Sequence, residues 1–178
     1  MKRTIGHMGG KILFSRDVIN QRVKVLAAHI SEDYHEQDLI IIGVLKGAFV
    51  FMADLIRSMT IPCQIDFVRL ASYGSESTSR GEIVMAKDIE IPIEGQDVLI
   101  VEDIVDTGLT LSYFVESLKR RNPRSIKVCV FLDKRNRRKT VFEADYVGFT
   151  IDDGFVVGYG LDFDEQARFL PDVHLIET

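Results

Sequence analysis

The chain has 178 residues, of which 46% are hydrophobic and 28% are charged. This length and composition predict one domain with a sizeable core and argue against a disordered protein. The net charge of -5 argues against a general nucleic-acid-binding protein. Neither a signal peptide nor an apolar stretch long enough to span a membrane is visible, so we expect a cytoplasmic protein.

Hydrophobic patterning in the first half predicts helices that alternate with strands. Apolar residues recur at helical spacing after Ser15, a residue type that caps helix starts. Residues 72–81 are mostly small and polar and predict a flexible loop or a hairpin tip. The predicted elements are, in order, a helix after Ser15, a strand at 39–44, a helix at 48–59, a strand at 63–70 and a returning strand at 82–87.

The second half continues the same alternation and ends in shorter strands. The predicted elements are a strand at 98–101, a helix at 111–120, a strand at 126–132 and two short strands at 146–149 and 155–157. This order predicts an α/β fold, with a doubly wound and mainly parallel sheet flanked by helices and an added antiparallel hairpin. In such sheets, ligands bind beyond the carboxyl ends of the strands.

Residues 98–110, with the sequence VLIVEDIVDTGLT, are the most informative segment. The apolar start predicts a strand buried on both faces. Three acids follow it, and three acids in one place are costly unless they serve a cation or a polyhydroxyl ligand. Small and hydroxyl residues come next at the start of a predicted helix, which is a typical phosphate-binding arrangement.

This segment resembles the phosphoribosyl-pyrophosphate-binding motif of the type I phosphoribosyltransferases. Further segments match the hypoxanthine–guanine phosphoribosyltransferases of that family in order and spacing, and the resemblance covers roughly residues 10–175. These segments are Leu45-Lys46-Gly47, Ser72-Tyr73, Leu132-Asp133-Lys134, residues 155–162 (FVVGYGLD) and Arg168. The resemblance implies a single domain over residues 1–178. Its parts would be a core at about 35–150, a small hood formed by the N-terminal segment and residues 151–178, and a flexible loop at 72–81.

The resemblance also implies an activity. A 6-oxopurine, hypoxanthine or guanine, would react with phosphoribosyl pyrophosphate in the presence of Mg²⁺ to give IMP or GMP and pyrophosphate. By the same resemblance we expect a homodimer or a homotetramer that binds neither nucleic acid nor membrane. Two alternatives stay open: an enzyme that prefers xanthine and guanine, and a nucleotide-sensing regulator built on the same fold.

For phosphoribosyl pyrophosphate, the resemblance implies two groups of ligands in residues 102–110. Glu102 and Asp103 would hold the ribose hydroxyls, directly or through Mg²⁺, a cation that prefers carboxylate and water oxygens. Asp106 would lie beside purine N7 as the catalytic general acid or base, although an acid at that point could also cap the helix. The 5′-phosphate would be bound by Asp106, Thr107, Gly108, Leu109 and Thr110. Leu109 replaces a polar residue of relatives, which leaves only its backbone amide in that role.

The remaining implied roles concern pyrophosphate, purine and lid. Pyrophosphate would be bound by Lys46 and Gly47, with a cis peptide bond before the lysine. Arg168 would bind it as well, since one guanidinium group can donate two parallel hydrogen bonds to phosphate oxygens. Lys134 would donate to purine O6 and so exclude adenine. The other implied roles are purine stacking by Phe155, reading of the base edge by Val156, purine and second-metal binding by Asp162, and a lid that begins at Ser72 and Tyr73. The basic run at 134–139 is interpreted mainly as a solvated turn.

Overall fold

The computed structural model describes residues 10–73 and 82–176 as two sheets with three main helices. The helices are α1 (Arg16–Asp33), α2 (Phe49–Ser58) and α3 (Leu109–Lys119). The strands are β1 (Lys11–Phe14), β2 (Leu39–Leu45), β3 (Cys63–Tyr73), β4 (Glu82–Lys87), β5 (Asp97–Val105), β6 (Ser125–Asp133), β7 (Tyr146–Thr150), β8 (Phe155–Val157) and β9 (Val173–Ile176). A 3₁₀ turn spans Arg135–Arg137.

The larger sheet has six strands in the order β4-β3-β2-β5-β6-β7. All neighbours pair in parallel except β4, which runs antiparallel to β3. Strand β2 shows why the sheet is buried on both faces: Leu39 and Ile41 pack with α1 and α2, whereas Ile40 and Ile42 pack with α3 on the other side. The predicted doubly wound, mainly parallel α/β fold is confirmed.

The smaller sheet has the order β1-β9-β8, with antiparallel pairing throughout. Strand β8 was predicted, whereas β1 and β9 were missed because each has four residues and the half-buried sequence KILF carries no clear alternation. Gly10 allows the close approach of the two chain segments, since a Cβ there would lie 2.4 Å from the Leu175 carbonyl oxygen.

Three predicted boundaries were wrong by more than one residue. Strand β5 continues to Val105, past the predicted end at residue 101, because Glu102 and Ile104 keep pairing with Val130 and Leu132 of β6. Helix α3 begins at Leu109 instead of residue 111. Strand β3 extends to Tyr73, so the backbone of Ser72 and Tyr73 lies in a strand. The rest of the predicted lid loop, residues 74–81, lies outside the described residues.

Among the described residues, no helix is both long enough and apolar enough to cross a membrane.

Asp66 of β3 ties the sheet to the connection that follows β4. Its buried carboxylate accepts hydrogen bonds from the backbone N–H groups of Phe67 (2.7 Å), Glu90 (2.5 Å) and Ile91 (2.9 Å). Burial by itself would raise the pKa of this carboxyl, but the three backbone donors and the Lys87 ammonium outweigh it and hold the pKa below its ordinary value. The carboxylate therefore stabilises the fold in its ionised form.

We predict that Asp66→Asn lowers the free energy of unfolding by about 2 to 3 kcal/mol near neutral pH, because the three backbone donors lose a charged acceptor. A carboxyl with a depressed folded pKa contributes stability above its unfolded pKa of about 3.9, and this contribution is lost as the pH falls through the folded pKa. The difference between wild type and variant should therefore shrink below about pH 4. Urea unfolding at several pH values checks this, with exposed Asp38→Asn as the control. An equal loss in both variants would contradict it.

Candidate active site

Two adjacent carboxylates lie at the carboxyl end of β5, in the middle of the larger sheet. Glu102 is buried and Asp103 is partly buried, and the Asp103 backbone N–H donates to Glu102 Oε1 at 3.1 Å. Burial, followed by the charge of Asp103, raises the pKa of Glu102 well above its ordinary value. Burial also raises the pKa of Asp103. The pair is thus not a solvated surface pair, and it is unfavourable in its ionised form until a cation or hydroxyl ligand binds.

The chain then turns into α3 through a loop that leaves backbone amides available. Gly108 adopts a left-handed conformation (φ +79°) directly before the helix. Gly108 has no side chain to cap the helix, and among the first helical N–H groups that of Leu109 donates to Thr107 Oγ1 at 3.4 Å. A cavity of about 180 Å³ is lined by Glu102, Asp103, Ile104, Val105, Asp106, Thr107, Gly108, Thr110 and Leu111. The free N–H groups and the helix dipole favour an anion in this cavity.

Asp106 lines this cavity but does not cap the helix, since Gly108 occupies the cap position. Its Oδ1 atom is buried and accepts no hydrogen bond among the described residues. Arg137 Nε lies 3.1 Å from that oxygen, but not in the orientation of a hydrogen bond. The helix-cap alternative is therefore wrong, and Asp106 lines the cavity as a carboxylate paired with the Arg137 guanidinium.

The Lys46-Gly47 loop lies directly against the carboxylate pair. The peptide bond between Leu45 and Lys46 is cis. A Cβ on Gly47 would lie only 1.6 Å from Asp103 Oδ2, so this position accepts no side chain. A Cβ on Gly160 would in turn lie 2.3 Å from the Gly47 carbonyl oxygen. The two glycines thus allow the loop after β8, the Lys46-Gly47 loop and the end of β5 to stack closely.

Arg168 joins this stack from the loop after β8. Its Nη1 donates to the Gly160 carbonyl at 2.8 Å, and its Nη2 lies 2.7 Å from Asp162 Oδ1. Its Nε is buried and has no hydrogen-bond partner among the described residues. Lys46 Nζ lies 3.0 Å from Glu165 Oε1 of the same loop. The structure therefore brings the predicted pyrophosphate ligands Lys46, Gly47 and Arg168 together.

Lys134 follows β6 and is only 6% exposed. Its backbone N–H donates to the Val105 carbonyl at 2.9 Å, which fixes it beside the end of β5. Its ammonium makes no ion pair with any residue in the ranges 10–73 and 82–176. The side chain is thus largely buried while its ammonium has no carboxylate partner in these ranges, so a ligand acceptor is its expected partner. The alternative of an ordinary exposed lysine is wrong.

Phe155 and Val156 lie at the start of β8, on the smaller sheet. The Phe155 side chain is 38% exposed, so it is not part of the core, and its ring meets Phe163 edge-on with centroids 5.4 Å apart. Val156 is buried and pairs with Leu175. An exposed aromatic ring beside the Asp162 loop can stack on a planar base.

The comparisons with known proteins agree with this geometry. The sequence profile of the phosphoribosyl transferase domain matches residues 13–164. The chain belongs to this family.

Relatives and solved structures match over nearly the whole chain. The hypoxanthine-guanine phosphoribosyltransferase of Aquifex aeolicus is 45% identical over 94% of each chain. That of Bacillus subtilis is 46% identical over 94% of this chain and 93% of its own. The crystal structure of a hypoxanthine phosphoribosyltransferase from Staphylococcus aureus superposes with a TM-score of 0.93 at 40% identity, covering 99% of this chain and 97% of its own. The resemblance and the fold predicted from the sequence are confirmed.

The carboxylates predicted to bind metal at two positions do not form one cluster in the described residues. Glu102 and Asp103 are adjacent, whereas Asp162 pairs with Arg168. Over the described parts of the chain, no three His, Cys, Asp or Glu side chains are grouped so that they could hold a metal ion by themselves. Any cation bound here would therefore take most of its ligands from water or from substrate oxygens.

A clasp formed by Asp133, Arg138 and Lys139, which was not predicted from the sequence, holds the backbone of Asp106 and Thr107. Arg138 pairs with buried Asp133 and donates to the Asp106 carbonyl at 3.4 Å, and the Lys139 N–H donates to the Thr107 carbonyl at 2.9 Å. The Arg138 side chain is 14% exposed, so the interpretation of residues 134–139 as a solvated turn was wrong for Arg138 as well as for Lys134. A buried aspartate at the end of β6 was the available signal, because it requires a cation.

We predict that Glu102→Gln makes the ligand-free protein more stable, by about 1 kcal/mol or more at pH 8, while phosphoribosyl transfer falls about 10- to 100-fold. Glutamine keeps the acceptor for the Asp103 N–H but removes one of two adjacent buried charges. A carboxyl whose pKa is raised in the folded state lowers the stability of the protein as the pH rises from the unfolded pKa of about 4.3 towards the folded pKa. The difference in unfolding free energy between Glu102→Gln and wild type should therefore increase as the pH rises above about 4.

Denaturant unfolding between pH 4 and pH 8, with initial rates at one pH, measures both effects. Glu116→Gln is the matched control, since it removes an exposed glutamate that pairs with Lys119 on α3. A destabilised Glu102→Gln variant, or one with wild-type turnover, would contradict the functional assignment of the carboxylate pair.

Proposed function

We propose that the protein is an enzyme of purine salvage that transfers the 5-phosphoribosyl group from phosphoribosyl pyrophosphate to hypoxanthine or guanine. The products are IMP or GMP and pyrophosphate. Family membership supports phosphoribosyl transfer. The observation that carries the choice of base is Lys134, a buried lysine with no ion pair in residues 10–73 and 82–176. The relatives from Aquifex aeolicus and Bacillus subtilis, named for the same activity, support it.

Phosphoribosyl pyrophosphate would lie across the carboxyl ends of β2 and β5. Its 5′-phosphate would accept hydrogen bonds from the backbone amides of residues 106–110 and from the hydroxyls of Thr107 and Thr110. Its ribose hydroxyls would donate to Glu102 and Asp103. Its pyrophosphate would contact Lys46, the Gly47 amide and Arg168. The buried Nε–H of Arg168 has no acceptor among the described residues and could donate to a pyrophosphate oxygen. These contacts fix C1′ in place and neutralise the charge of the leaving group.

The base would stack on the Phe155 ring, with its edge at the Val156 backbone. Lys134 would donate to O6, an acceptor in hypoxanthine and guanine, whereas adenine presents a donor there. As purine N9 attacks C1′ and the bond to pyrophosphate breaks, the Asp106 carboxylate would accept and hold the proton that the purine loses. Ser72 and Tyr73 would begin the lid that excludes water from this step.

We infer that the site uses Mg²⁺. Glu102 and Asp103 fit such an ion, because both carboxyls have raised pKa values that a cation would relieve. Asp162 would take part in a second position once it is released from Arg168. The ion would supply positive charge to the ribose hydroxyls and to the departing pyrophosphate.

Three further expectations belong to this proposal by resemblance. The enzyme would be cytoplasmic, it would form a homodimer or homotetramer, and its core and hood would act as one domain. A preference for xanthine and guanine is the alternative within enzymes. No contact of the described residues favours the regulator alternative.

The direct test is pyrophosphate release from phosphoribosyl pyrophosphate and Mg²⁺ with hypoxanthine, guanine, xanthine or adenine in separate reactions. We expect release with hypoxanthine or guanine and none with adenine. Release with xanthine and guanine but little with hypoxanthine would favour the alternative enzyme. Absence of release with every base, although phosphoribosyl pyrophosphate binds, would contradict the proposed activity and favour a sensor.

We predict that Lys134→Met lowers kcat/KM for hypoxanthine about 100-fold and weakens discrimination against adenine, because a charged hydrogen bond to O6 is lost. The substitution removes a buried unpaired charge, so the fold should be kept. Steady-state kinetics with both bases measure the effect. Lys119→Met, which removes an exposed lysine of α3, is the control. Wild-type base selectivity in Lys134→Met would overturn this role for Lys134.

A further inference from the structure

One carboxylate contacts both cations that we assign to pyrophosphate. Glu165 Oε1 lies 3.0 Å from Lys46 Nζ, and Glu165 Oε2 lies 3.4 Å from Arg168 Nη2. The two oxygens of one carboxylate therefore bridge two cationic residues that are far apart in the sequence. Bound pyrophosphate would also be an anion held by Lys46 and Arg168. The Glu165 carboxylate therefore lies where a pyrophosphate oxygen is expected.

The loop around Glu165 is arranged so that this contact forms. The Glu165 backbone N–H donates to Asp162 Oδ2 at 2.9 Å, while Asp162 Oδ1 pairs with Arg168. Asp164, Glu165 and Ala167 all have positive φ values, of 51°, 59° and 69°. Left-handed backbone is disfavoured for residues other than glycine, so local contacts must maintain this conformation. When a ligand takes the two cations, the loop loses contacts that hold it and can move away.

We propose that Glu165 is an internal competitor of pyrophosphate: it holds Lys46 and Arg168 in the ligand-free enzyme and must be displaced when the pyrophosphate group binds. This inference rests on the proposed function, because it assumes that these two cations bind pyrophosphate. The ion pair with Lys46 is exposed, with 47% and 63% exposure of the two side chains. Exposed ion pairs of this kind are weak. Glu165 therefore positions and neutralises Lys46 and Arg168 without preventing pyrophosphate from binding.

The expected consequence is weaker binding of pyrophosphate and faster release of the product. Two weak ion pairs correspond together to a change of about three- to tenfold in affinity. The described side-chain contacts of Glu165 are with Lys46 and Arg168, and its contact with Asp162 is made by the backbone N–H, which a substitution of the side chain keeps. The KM for the base should therefore stay unchanged when Glu165 is neutralised.

The test compares two neighbouring charge removals, Glu165→Gln and Asp164→Asn. Both remove one negative charge from the same exposed loop, and asparagine tolerates the positive φ of Asp164. Asp164 makes no ion pair within the described part of the chain, so its variant reports only the long-range effect of charge. Calorimetric titration with pyrophosphate and Mg²⁺ gives the affinity, and inhibition of the forward reaction by pyrophosphate gives a second value.

We expect Glu165→Gln to bind pyrophosphate three to ten times more tightly than wild type, while Asp164→Asn changes the affinity less than twofold. In Lys46→Met/Glu165→Gln, compared with Lys46→Met, the gain from neutralising Glu165 should be smaller. Equal gains in the two single variants would mean that net charge alone acts, and would overturn the proposal. An unchanged or weaker affinity in Glu165→Gln would overturn it as well.

Failure of this inference is distinguishable from failure of the proposed function. If wild type transfers phosphoribosyl groups to hypoxanthine or guanine but Glu165→Gln binds pyrophosphate as wild type does, only the role of Glu165 is wrong. If wild type has no transfer activity, the proposed function is wrong, and calorimetry with pyrophosphate still decides whether Glu165 competes for the two cations. Thermal unfolding of each variant confirms that the fold is kept.

Discussion

The burial of two neighbouring carboxylates at the end of β5 is the constraint on which the site depends. Burial makes the ionised form of both Glu102 and Asp103 less favourable, and the charge of Asp103 adds to this cost at Glu102. A protein selected only for stability would not keep such a pair in the middle of its main sheet. In the proposed function, ligand binding supplies the positive charge and hydroxyl donors that the fold lacks at this pair.

Close packing at two glycines brings the other residues of the candidate site to this pair. Side chains are excluded at Gly47 by Asp103 and at Gly160 by the Gly47 carbonyl, so three separate chain segments meet without intervening atoms. The clasp formed by Asp133 and Arg138 then holds the loop that begins at Asp106. The charged groups of the site are thereby set by rigid strand ends and short loops, as preorganised electrostatic catalysis requires.

Much of this arrangement was predictable, because the strong signals are local. Continuous apolar runs identified β2, β5 and β6, and the order of elements identified the doubly wound sheet. The short strands β1 and β9 were not predictable, since their pairing depends on contacts between distant parts of the chain. The same limit applied to Arg138 and Glu165: both are charged residues in polar loops, and only their three-dimensional partners separate them from ordinary surface residues.

The central claim is that residues 102–110 form a site for phosphoribosyl pyrophosphate together with Mg²⁺. Thermal unfolding with Mg²⁺ alone, with phosphoribosyl pyrophosphate alone and with both tests it most directly, because a ligand that binds only the native state raises the unfolding temperature. The account predicts a large shift for wild type only when both are present, and a much smaller one for Glu102→Gln. No shift in wild type, or an equal shift in the variant, would contradict it.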